Sequence, residues 1–150
     1  MKIRTDYVTN SSSSSFILGF NNRDDIKNVA DELPSYWAEY VKEDIVNDIE
    51  YGVTTKEQAI ERYRGSLWLS SYKFHGKDYW DLTPEEIRSD EYKQFIKGIK
   101  DELCDELLKQ LNEYDIISMV EYEDHTDLGS ELEHEIMPCL VYTIRRISHH

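Results

Sequence analysis

The chain has 150 residues and a formal net charge of −14, with 39% hydrophobic residues, eleven tyrosines and three tryptophans. That length suffices for a single domain, 1–150, with a real core, and so many aromatics are not expected of a disordered chain. The acidic excess disfavours direct nucleic-acid binding and anionic membrane surfaces, which recruit Lys and Arg. It suits an acidic surface kept for solubility, or a partner with a basic face.

No apolar segment follows Lys2 and Arg4, and no run reaches the roughly 18 apolar residues of a membrane helix, so a soluble cytoplasmic protein without membrane contact is expected. Cys104 falls in a helical pattern and Cys139 precedes a strand-like run; both are expected as buried free thiols.

In chain order, "KIRTDYV" (2–8) alternates weakly and suits an edge strand or an arm. Five serines, Ser11, Ser12, Ser13, Ser14 and Ser15, lead directly into "SFILGF" (15–20), nearly all apolar as a strand covered on both faces would be. A short helix over 23–33 carries Ile26, Val29, Ala30 and Leu33 on one stripe. A second over 36–51 repeats Trp37, Val41, Ile45 and Ile49, with Gly52 as its C-terminal stop. Thr55 and Gln58 form a capping box for a helix over 55–64.

Residues 65–82 have no stable period and many aromatics. They read as a long packed loop with a small hairpin at His75-Gly76. Thr83-Pro84-Glu85-Glu86 combines an N-cap, proline at the first helical position and glutamate at the third, opening a helical region over 84–113 with a second start at Ser89. "IISMVEY" (116–122) and "LVYTIRRI" (140–147) are strands, and Leu128, Leu132 and Ile136 mark a helix over 127–137 that Pro138 ends. The class is α+β: a small mixed sheet covered by helices.

The 116–147 segment constrains where a site would lie. If strands 116–122 and 140–147 run parallel, their C-terminal ends share one edge of the sheet. If strand 15–20 runs antiparallel to the last strand, its start meets that edge too. The pentaserine run, the stretch Glu123-Asp124-His125 and the terminal His149-His150 would then converge on one rim. There the serines are candidate ligand-binding residues, with hydroxyls that donate and accept.

Two chemistries suit such a rim. Imidazole and carboxylate ligate divalent metals, and His125, Asp127, His149 and His150 are the candidate ligands. "ELEH" (131–134) has Glu-x-x-His spacing, but a di-iron carboxylate bundle needs two such motifs and the chain has one. For His134 the expectation is a solvated residue on an acidic helix. A serine nucleophile with His149, or with His125 and Asp124, is the second chemistry, yet no G-x-S-x-G turn singles out one serine. Phosphate-binding glycine loops, C-x-x-C and H-E-x-x-H are all absent from the sequence. Trp68, Tyr72, Phe74, Tyr79 and Trp80 are read as core cover before partner surface.

The opening "KIRTDYVTNSSSSSF" resembles the N-terminus of a group of small bacterial proteins that begin K-x-R-T-D-F/Y-V-T-N-S-S-S-S-S-F. The resemblance covers about 18 residues. It implies a bacterial or phage-encoded cytoplasmic setting and native serines, and it transfers no activity and no catalytic residue. The function expected is a metal- or small-ligand site at one sheet edge. The alternative is an acidic interaction module for a basic partner surface, with nucleic-acid mimicry as its extreme.

Overall fold

The structure, a computed structural model, describes residues 13–148; the predicted strand or arm at 2–8, Ser11, Ser12, His149 and His150 lie outside the described residues. Strand β1 (Ser13–Phe20) turns at Asn21-Asn22 into helix α1 (Arg23–Glu32), where the Asn22 side chain accepts from the Asp25 N–H. Helix α2 (Glu39–Tyr51) starts three residues later than the spacing predicts. The Pro34 carbonyl is taken by the Trp37 N–H in a turn, and Ala38 supplies no side-chain cap.

Strand β2 (Val53–Thr54) is too short to show a sequence pattern and was not expected. The predicted capping box at Thr55 and Gln58 opens α3 (Lys56–Ser66), and the one at Thr83 and Glu86 opens α4 (Pro84–Arg88). Between them Phe74 and Lys77 pair across His75 and Gly76, both at positive φ, as a two-residue hairpin turn requires. The region 84–113 is two helices, because Ser89 takes extended backbone angles and its hydroxyl caps α5 (Asp90–Leu111).

Strand β3 (Ile116–Glu123) leads to α6 (Asp127–Glu131), capped by Thr126. One π-helical turn, Leu132–Ile136, follows, and a 3₁₀ turn, Met137–Cys139, carries the chain towards β4 (Thr143–Ser148). Cys104 is buried as expected; Cys139 is exposed on that last turn, which corrects the expectation of two buried thiols.

The described sheet has the order β2-β3-β1-β4, and every neighbouring pair is antiparallel. The α+β class holds, but a mixed sheet does not. Strands β3 and β4 do run in the same direction, yet β1 lies between them and pairs with both, so no parallel ladder forms.

Burial on both faces of β1 organises the rest. Phe16, Leu18 and Phe20 face Ile26 and Val29 of α1, Ile45 and Ile49 of α2, and Leu132 and Met137. Ile17 faces Ala59 and Tyr63 of α3 and Cys104, Leu107 and Leu111 of α5. Side-chain alternation thus builds a helix–sheet–helix sandwich around one strand. In the aromatic loop, Phe74 is buried against Tyr92 and Phe95, as expected, whereas Trp68 and Trp80 stay largely exposed. No helix of the described residues is long and apolar enough to cross a membrane.

Two glycines give a test of this packing. A Cβ on Gly52 would run into the Met119 carbonyl oxygen, so Gly52→Ala is expected to cost at least about 2 kcal/mol. A Cβ on Gly65, inside α3, meets nothing, and Gly65→Ala is expected to stabilise by about 0.5–1 kcal/mol. Urea unfolding midpoints moving in opposite directions would confirm both.

Candidate functional site: a buried glutamate beneath the serine run

The start of β1 and the ends of β3 and β4 meet at one edge of the sheet. Ser13 stands opposite Glu123, and Ser14 lies between Tyr122 on one side and Ser148 on the other. Because strand side chains alternate, consecutive serines serve opposite faces. On one face the buried Ser14 hydroxyl donates to Glu133 Oε1 at 2.9 Å and accepts from Arg146 Nε at 3.1 Å. On the other, the Ser15 hydroxyl donates to Glu121 Oε2 at 3.1 Å, which also accepts from Arg62 at 3.2 Å. Ser14 and Ser15 therefore lie inside the strand as side chains that meet carboxylates.

Glu133 has no exposed surface. A carboxylate removed from water must be met by donors or an opposite charge. Here Oε1 receives the Ser14 hydroxyl and has Arg146 Nη2 at 3.6 Å. The Arg146 guanidinium is itself seated over the Phe16 ring, 5.9 Å from its centre. The second oxygen, Oε2, faces His134 Nε2 at 3.5 Å, and the same nitrogen lies 3.7 Å from Asp124 Oδ2.

Those two separations are long for hydrogen bonds. They lie within or just above the spacing of donor atoms about a tetrahedral ion with metal–ligand distances of about 2.0–2.2 Å, which sets neighbouring ligands roughly 3.3–3.6 Å apart. One ligand atom from each of Asp124, Glu133 and His134 lies within 4.8 Å of the others. One imidazole and two carboxylates form a donor set that zinc, manganese and iron accept. Ser14 and Arg146 hold Glu133 by its other oxygen, as an outer partner of a metal-ligating carboxylate does.

Of the predicted metal ligands within the described residues, His125 places Nδ1 3.0 Å from Glu123 Oε2, and Asp127 lies exposed in the first turn of α6. The cluster is made instead by Asp124, Glu133 and His134. His134 is exposed, as expected, but its Nε2 faces two carboxylates. Glu131, the first residue of the Glu-x-x-His spacing, accepts from the Tyr36 hydroxyl at 2.9 Å.

Sequence reasoning missed Glu133 because it falls one position off the stripe Leu128, Leu132, Ile136. The π turn changes the period: Leu132, Glu133 and Met137 are the buried residues, with five positions from Leu132 to Met137. The apolar Leu132–Met137 spacing just ahead of Pro138 was the available signal.

Close by, the Tyr122 hydroxyl donates to Asp48 Oδ2 at 3.1 Å. Burial first, then the Asp48 charge, pushes the phenol well above its ordinary range. A folded-state pKa raised above the unfolded value of about 10 contributes stability that is complete below pH 10 and is lost as pH rises beyond it. Wild-type melting temperature should therefore fall between pH 9.5 and about 11, and fall less in Tyr122→Phe, as scanning calorimetry would show. Ser14→Ala leaves Glu133 buried with one donor fewer and is expected to cost about 1–3 kcal/mol in denaturant unfolding. Comparison with protein-family models, with curated proteins and with solved structures finds no match for this chain.

Proposed function

We propose that the protein binds one divalent transition-metal ion between Asp124, Glu133 and His134, at the edge of the sheet where β1 begins. The observation that carries this reading is the placement of His134 Nε2, 3.5 Å and 3.7 Å from oxygens of Glu133 and Asp124, with Glu133 fully buried and held by its other oxygen. Three protein ligands would leave a coordination position for water or a small ligand, the pattern of reactive rather than purely structural sites. His149 and His150 follow Ser148 in the chain and are retained in the proposal as further donors.

The acidic-module alternative draws less support. On α5 the carboxylate of Asp101 is met by Arg64 at 2.7 Å and by Lys97 at 2.9 Å. Such interleaved pairing suits solubility better than an unbroken acidic row.

The test uses protein purified without an affinity tag and stripped with chelator, then titrated with zinc, manganese or anaerobic iron(II). A ligand at a hundred times its Kd contributes about 2.7 kcal/mol, a rise of about 5–10 °C in melting temperature for a chain of this size. His134→Ala should keep the metal-free melting temperature within about 2 °C, because the side chain is 42% exposed, and should abolish the rise. The same rise in His134→Ala, its loss only in His149→Ala/His150→Ala, or no response to any of the metals would overturn the site as placed.

A further inference from the structure

A groove of about 720 Å³ runs between α2, the end of β3 and the start of α6. Its apolar side comes from Val41, Ile45, Leu128 and Leu132. Its rim carries Asp44 and Asp48 from α2 and Glu123 from β3. Asp44 and Asp48 are four residues apart on a helix, so they share a face with an axial spacing of about 6 Å. Among the described residues lining it there is no Lys or Arg; His125 is the one basic side chain, paired with Glu123 at 3.0 Å.

We propose that this groove binds a linear aliphatic polyamine. Such a molecule alternates ammonium groups with short methylene runs, and the groove sets Asp44 and Asp48, about 6 Å apart along α2, beside the aliphatic Val41, Ile45 and Leu128. The methylenes would cover Leu128, which is 41% exposed, and the ammonium groups would meet Asp44 and the Asp48 oxygen that the Tyr122 hydroxyl does not take. Tyr40, 70% exposed, also lines the groove, and a tyrosine ring is a favourable neighbour for a cation. The acidic face of α5, with Asp101, Glu102, Asp105 and Glu106, lacks that aliphatic surface and includes Lys109, so general acidity does not reproduce the arrangement. The inference does not rest on the metal reading, since the groove lining includes none of Asp124, Glu133 and His134.

The test is calorimetric titration of the full chain with spermidine, with magnesium chloride at matched ionic strength as the reference for charge alone. Saturable spermidine binding that magnesium does not mimic is expected. Asp44→Asn should weaken it about three- to tenfold, the loss of one ion pair of about 0.7–1.4 kcal/mol. Glu106→Gln on α5 should leave it within twofold, and His134→Ala should bind as wild type does. Absence of saturable binding, equal binding by wild type and Asp44→Asn, or equal weakening by Asp44→Asn and Glu106→Gln would overturn the proposal.

Discussion

The seven consecutive residues from Ser14 to Phe20 are all buried, and that single strand dictates the architecture. A strand with no wet face needs a layer of apolar side chains on each side, and the helices divide accordingly, α1 and α2 over one face and α3 and α5 over the other. It also needs a neighbour on each edge to receive its backbone groups. Strands β3 and β4 fill those positions, which is why two strands that run in the same direction never touch.

The same burial creates the polar problem at the strand's beginning. Residues there must be small enough to sit between Tyr122 and Ser148, and polar enough to face charge. Serine meets both demands, and alternation sends one hydroxyl to Glu133 and the next to Glu121. Glu133 then links three segments far apart in the chain: β1 through Ser14, β4 through Arg146 and the end of β3 through His134 and Asp124. Removing Ser14 or Arg146 from the buried carboxylate is costly because water cannot replace them, whereas His134 stands at the exposed side. The π turn is what brings Glu133 inward beside Leu132, and such turns occur often at functional sites.

Much of the fold was legible in residue order. The capping boxes at Thr55 and Thr83, the Ser89 start and the apolar stripes of α1, α2 and α5 were readable because they depend on partners three or four residues away. The shared edge was legible only on two conditions of strand direction, and it arises because β1 pairs antiparallel with both β3 and β4. The identity of the clustered groups did not follow. His125 and Asp127 carry suitable chemistry and lie in the right connection, yet the cluster uses Asp124, Glu133 and His134. A single π turn shifts the helical phase by one residue, and nothing in an α-helical reading anticipates that shift.

Residue order by itself determined the kind of each main element and the acidic net charge, since period, caps and composition act over a few neighbouring positions. Tertiary structure alone decided that β1 would separate β3 from β4, that Met119 would need Gly52 to lack a side chain, and that Glu133 would be sealed from water. The partners that make those choices stand as much as 119 and 132 residues away along the chain. Contacts at such separations form only when the whole sheet closes, so no local pattern encodes them.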